Sequence, residues 1–225
     1  MHSAPGTADD RTARARIRDA AITRFATEGI PTTSVRAIAA AAGVSPGLVI
    51  HHFGSKDGLR HACDEYVAGI IRANKREAMA QGPALDIAAT MRRARQDVPL
   101  NRYLAQSLVD GSPAVSALID ELVADAAEYM AEGVRAGSLR PTDFPYERAA
   151  VLTIWVLGGL VLHEHLERLV GIDITRDPAD IVDATAYASY IGPILEMFTE
   201  GLLTEDVAKR MRSTFVDGAE RQGDT

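Results

Sequence analysis

The sequence predicts an all-α fold, with an N-terminal three-helix helix-turn-helix unit and a larger helical body. Three observations point there. Aromatic residues make up only 5% of the chain while Ala and Leu abound, a balance that suits packed helices better than sheets. Apolar residues recur at three- and four-residue spacing along most of its length. The segments with that spacing are bounded by hydroxyl or Asp caps, first-turn prolines and terminal glycines.

Residues 1–9, polar throughout, read as a disordered arm; MHSAPGTADD lacks the apolar run of a signal peptide. A first helix is expected from Asp10 to Glu28, with Ile17, Ala20, Ala21 and Phe25 on one face and Gly29 ending it. Thr33 or Ser34 caps a second, short helix whose apolar face is Val35, Ile38, Ala39 and Ala42. Gly43 follows at once, where a tight turn needs the left-handed backbone that only glycine adopts without penalty. Ser45 then caps a third helix with Pro46 at its first position, where a missing N–H costs nothing. Ser55 caps a long helix to Ala80, stopped by Gln81-Gly82-Pro83. Helix, tight turn, capped helix is the sequence form of a unit that lays its second helix in the major groove of DNA.

Beyond Gly82 the spacing predicts helices over 84–97, 99–110 and, from the Ser112-Pro113 cap, to Ala136. A strongly apolar helix is expected from Tyr146 to Val170. Asp177-Pro178 opens another to Gly201, in which Gly192-Pro193 should kink or break the helix. Thr204 caps a last one to Val216, and 217–225 reads as a disordered tail. The expected domains are therefore 10–62, the helix-turn-helix head, and 63–216, the body.

At 225 residues and 47% hydrophobic content the chain can bury a sizeable core. Its one cysteine, Cys63, excludes an internal disulfide framework and suits the reducing cytoplasm. The longest apolar run, Val151 to Leu162, is too short to span a bilayer. A net charge of −7 looks wrong for a DNA partner until it is divided. Residues 1–70 hold eight Lys/Arg against seven Asp/Glu and four of the six His, so the acidic excess belongs to the body. Such a head binds nonspecific DNA weakly and with steep salt dependence.

Residues 14–62, about a fifth of the chain, resemble the N-terminal domain of TetR-type transcriptional regulators. The resemblance rests on many spaced positions at once: Phe25 to Gly29, Thr32-Thr33, Ile38-Ala39, Ala42 to Ser45, His52-Phe53, and Ser55-Lys56 with Leu59. One position departs. The family usually has tyrosine two residues before its His-Phe pair, and this chain has Ile50. The front of the third helix, Pro46, Gly47, Leu48 and Val49, offers few donors for base edges. Leu48 suits a thymine methyl, bare Gly47 allows close backbone approach, and Arg36 matches guanine O6 and N7 as a fork. Thr33, Ser45, His51, His52 and Lys56 are expected at phosphates.

The resemblance also implies a two-fold dimer on a palindromic operator and a small apolar effector bound in the body. Candidate effector-lining residues are Tyr66, Tyr103, Tyr129, Met130 and Trp155. The candidate dimer face is Ile181, Ala184, Ala188, Ile191, Gly192 and Leu195, whose small residues allow close helix packing. The 146–170 helix, apolar on nearly every side, is expected either to be buried in the body or to join that interface.

The rival reading is a helical-bundle enzyme or metal protein using His163 and Glu167. His163 and His165 lie roughly 200° apart around a helix, so their rings diverge. No His-Glu-x-x-His, Gly-x-Ser-x-Gly, P-loop or Glu-x-x-His pattern occurs, and no cofactor or metal is expected.

Overall fold

The computed structural model describes residues 8–84, 86, 98–110, 113–176 and 184–215, and all regular structure among them is helical. The helices are α1 (Ala8–Glu28), α2 (Val35–Ala42), α3 (Pro46–Phe53), α4 (Lys56–Ala80), α5 (Val98–Val109), α6 (Pro113–Arg135), α7 (Pro145–Val161), α8 (His163–Val170), α9 (Ala184–Thr199) and α10 (Glu205–Phe215). A single 3-10 turn, Gly82–Ala84, follows α4. The sequence-predicted helix over 84–97 lies almost wholly outside the described residues, as do most of the expected arm (1–7 of 1–9) and the tail (217–225).

The head forms as its caps dictate. Ser34 begins α2, its Oγ accepting from Ala37 N at 3.1 Å. Gly43 ends it at φ 66°, so Val44 N can donate back to Ala39 O at 3.0 Å. Ser45 Oγ accepts from Leu48 N at 3.2 Å and starts α3. Behind these turns Ile17, Phe25, Ile38, Val49 and Leu59 are fully buried.

That core does not stop at the expected domain boundary. Cys63, Val67 and Tyr103 carry it into the body, where Leu104, Leu118, Leu122, Leu157 and Leu160 extend it. α5 packs on α1 as well as on α7, so it is shared by head and body. Its Tyr103 ring lies 6.2 Å from that of Phe25 in α1. α6 joins α4 to α7. Along α4, Arg72 pairs with Glu121 (2.8 Å) and Asp125 (2.5 Å) of α6, and Arg76 pairs with Glu128 and with Glu132 at 3.6 Å.

Two expectations are corrected. The helix expected over 146–170 is two helices, α7 and α8, bent by 78° at Leu162. No proline or glycine sits at the break. His163, the first residue of α8, has Nδ1 3.2 Å from Asp173 Oδ1, so the corner lies against a loop residue ten positions on. Nor is α9 broken at Gly192-Pro193, one of the two outcomes expected there; the helix runs on through Pro193 to Thr199, close to the expected end at Gly201.

No single described helix is long and apolar enough to cross a membrane; α7 and α8 meet that test only as a pair, across the bend.

Candidate nucleic-acid interface and body cavity

The outer face of the head carries most of the residues expected to meet DNA. Arg36, in the first turn of α2, is exposed and makes no ion pair among the described residues. Ser45, Pro46, Gly47 and His51 are exposed on or beside α3, and Leu48 and His52 are half-buried there. The His51 and His52 rings stand 5.6 Å apart, and His52 leans on Phe53 at 6.1 Å. Ile50, at the position of the family's tyrosine, is 45% exposed. Lys56 Nζ donates to Pro31 O at 3.2 Å, tying the start of α4 to the loop before α2.

Thr33 does not belong to this surface. It is 1% exposed, and its hydroxyl donates to Gly29 O at 2.7 Å. It locks the α1–α2 turn, while its neighbour Ser34 serves as the cap. A hydroxyl spent inside the turn is not available to a phosphate.

The sequence reading missed Gly58. A Cβ there would lie 2.1 Å from Phe53 O, so glycine is what lets the first turn of α4 sit against the end of α3. Within the sequence it is an unremarkable residue of a helix; only the close approach marks it.

In the body, α4, α5, α6, α7 and α9 surround a cavity of about 580 Å³. That is within the range of about 300–1,000 Å³ typical of small-molecule sites. Tyr129, Met130 and Trp155 line it as expected. Leu104, Leu122 and Leu157 form part of its buried wall, and Phe198 and Tyr190 of α9 stand opposite. It is apolar with a few polar groups, an arrangement that holds a largely apolar molecule and orients it.

Tyr66 and Tyr103 lie elsewhere. Tyr66 sits under the Arg18 guanidinium, 3.3 Å from ring centre, in a small cleft at the head–body junction shared with Arg14 and Phe53. Tyr103 is wholly buried, and its hydroxyl donates to Asp64 Oδ1 at 2.6 Å. Asp64 and Arg60, one turn apart on α4, are both buried, 3.7 Å from each other, and Arg60 also binds Asp110 at the end of α5. Burial raises the Asp64 carboxyl above its ordinary value, against the lowering effect of the Tyr103 hydroxyl and Arg60. Burial, with Asp64 beside it, pushes the Tyr103 phenol up, so it remains a neutral donor. This network ties α4, just below the head, to α5, whose neighbouring face lines the cavity through Leu100, Asn101 and Leu104.

Of the candidate dimer residues, Ile181 lies outside the described residues, and Ala184 is described only as the first residue of α9. Ala188, Gly192 and Leu195 are exposed and Ile191 is half-buried. The apolar α7 is also open to solvent along Val151, Ile154, Trp155 and Val156. Among the described residues, the body buries one side of this helix, at Ala149, Leu157 and Leu160, and leaves the other exposed.

His163 and Glu167 do not form a site together. His163 faces Asp173, while Glu167 pairs with Arg176 at 3.1 Å. Hydrogen bonds from Thr175 and the nearby His163 and Arg176 hold the Asp173 carboxyl below its ordinary value, against the opposing effect of burial. No group of His, Cys, Asp or Glu that could hold a metal ion occurs among the described residues.

Two family models match this chain. Residues 17–63 match the family described as bacterial regulatory proteins, tetR family, and residues 95–204 match the tetracyclin repressor-like C-terminal domain. The HTH-type transcriptional regulatory protein RaaS of Mycobacterium tuberculosis is 41% identical over 198 residues, covering 87% of this chain and 89% of that protein. Among solved structures, a chain described as a TetR-family transcriptional regulator from Rhodococcus sp. superposes with a TM-score of 0.60 at 20% identity, covering 84% of this chain and all of the other. SmeT, the repressor of the Stenotrophomonas maltophilia multidrug efflux pump SmeDEF, gives a TM-score of 0.55 at 24% identity, covering 80% of this chain and 91% of its own. A helix-turn-helix head with a repressor-like helical body behind it, matched in sequence along most of its length, places this chain in the TetR family of bacterial transcriptional regulators.

Proposed function

We propose that this protein is a cytoplasmic repressor, not an enzyme, that holds a palindromic operator as a two-fold dimer and releases it when a small, mostly apolar effector enters the body cavity. The observation that carries this reading is the course of α4. It begins at Lys56, directly after the third helix of the head, and its second half, from Ile71 to Met79, forms one wall of the cavity. A ligand that moves this wall changes the separation of the two heads of a dimer, and half-sites on DNA are fixed about one helical turn apart. A coupling of roughly 1–3 kcal/mol suffices for a switch.

On the DNA, Arg36 reads a base edge. Pro46, Gly47 and Leu48 approach the groove, and Ser45, His51, His52 and Lys56 meet phosphates. The dimer face is α9 around Ala188 and Leu195 together with the exposed side of α7. RaaS is named as a transcriptional regulator and SmeT as a repressor, which supports the sign of regulation chosen here.

Linkage supplies the test. Duplexes retained from a random pool give the operator, and Trp155, the only tryptophan, reports cavity occupancy by its fluorescence. An inducer found in a ligand screen binds the free dimer more tightly than the operator-bound dimer, by the same factor by which it weakens operator binding. If every ligand that perturbs Trp155 binds both forms equally, the ligand switch is refuted and the DNA-binding assignment stands.

A further inference from the structure

We propose that the effector is a ring-bearing organic anion whose negative group is received by Lys75; this rests on the reading of the body cavity as the effector site. Among the described residues that line the cavity, Lys75 alone is charged. Four aromatic side chains, Tyr129, Trp155, Tyr190 and Phe198, line it too, which favours a ligand with rings.

The neighbouring cations on the same helix provide an internal comparison. Arg72 and Arg76 lie roughly a third of a turn around α4 from the cavity face. Each is neutralised by two carboxylates of α6. Lys75, on the cavity face with Ile71, Asn74 and Ala78, has no carboxylate partner among the described residues. Among the described residues, the cations this helix presents to its neighbour meet acids there, and the one it presents to the cavity meets none. Lys75 is exposed at the cavity rim, where its ammonium can meet the negative group of a ligand whose rings lie against the largely apolar walls, which screen that end of the interaction less than open water does. The amide of Asn101, which also lines the cavity, can add a hydrogen bond to a carboxylate.

The test is a matched series on one ring system: naphthaleneacetate, naphthaleneethanol and naphthaleneethylamine, each titrated calorimetrically into the full-length protein and into Lys75→Met. In the wild type the carboxylate is expected to bind at least fivefold more tightly than the alcohol, and the ammonium more weakly than either. In Lys75→Met the carboxylate should fall to the level of the alcohol, while alcohol affinity stays within twofold, which also shows that the variant is folded. An alcohol that binds the wild type as well as the carboxylate does, or a carboxylate preference that survives in Lys75→Met, overturns the inference and leaves the cavity as an uncharged effector site. Failure of all three to bind up to millimolar concentration removes the cavity reading itself, and this inference with it.

Discussion

Tyr103→Phe removes one oxygen atom from the centre of the molecule. That oxygen donates to Asp64 at 2.6 Å, in a place where both side chains are buried. A hydrogen bond to an ionised group contributes about 1.5–3 kcal/mol, and solvent cannot replace this one. Asp64 keeps Arg60 nearby at 3.7 Å, so a loss near the lower half of that range is expected, about 2 kcal/mol. For a chain of this length that corresponds to roughly 4–8 °C in melting temperature. The pH dependence gives a sharper criterion. Asp64 titrates above its ordinary value of 3.8 when folded, so its ionised form costs stability once pH has risen through the folded value, and that cost vanishes below 3.8. The Tyr103 hydroxyl lowers the Asp64 value, so removing it raises the value further and enlarges the cost at high pH. The destabilisation should therefore be larger at pH 8 than at pH 3, below the ordinary value of 3.8, where the bond lost is mainly one to a protonated carboxyl. Thermal unfolding of wild type, Tyr103→Phe, Asp64→Asn and the double variant at both pH values measures it, and the double-mutant cycle isolates the pair. An equal loss at both pH values, or a coupling near zero at pH 8, would falsify the assignment of this bond to an ionised Asp64.

The other expectations concern the DNA face, the helix junction and the dimer. Arg36→Ala should weaken binding to the selected operator by about 1–3 kcal/mol and relax preference at one base pair per half-site; equal loss on scrambled duplex would make Arg36 a mere charge. Gly58→Ala should destabilise by about 1–3 kcal/mol, since the new methyl meets the Phe53 carbonyl, and should also lower operator affinity by turning α3 against α4. An unchanged melting temperature would show that the junction relaxes freely. Ala188→Arg, on the exposed side of α9, should convert the dimer to monomer in light scattering by placing two like charges near the two-fold axis. A full dimer in that variant would move the interface elsewhere.

What the sequence disclosed and what it hid divide along the range of the interactions. Ser45, Pro46 and Gly43 act on backbone within four residues of themselves, so the turn of the head was legible. Thr33 and Ser34 offer the same hydroxyl to the same helix start, and only the burial of Thr33 against Gly29 separates them. Tyr129, Met130 and Trp155 line the cavity, whereas Tyr66 and Tyr103 lie away from it. Helical spacing tells which residues share a face, not which neighbour covers it. The break at Leu162 was invisible for the same reason: its partner contact is Asp173, in a loop that follows α8. Gly58 escaped because the atom it must avoid belongs to another helix. The proposed dimer face rests on two readings of different kinds. The apolar excess of α7 is plain in the sequence, whereas the exposure of Val151, Ile154, Trp155 and Val156 could be read only from the packing.

The placement of α5 bears on how such a protein can be recombined. By chain order the head ends near residue 62, and a chimera would be cut there. By packing, α1 has one of its principal neighbours in α5, with Phe25 against Tyr103, and the shared core runs through both. A head transplanted onto a foreign body at residue 62 would leave the α5-facing side of α1 against a stranger's side chains. The exchangeable cassette is therefore not a continuous piece of sequence. It is residues 8–62 together with the α1-facing surface of α5, and grafts that carry Tyr103 and its neighbours along should remain soluble and folded where simple fusions at the boundary do not.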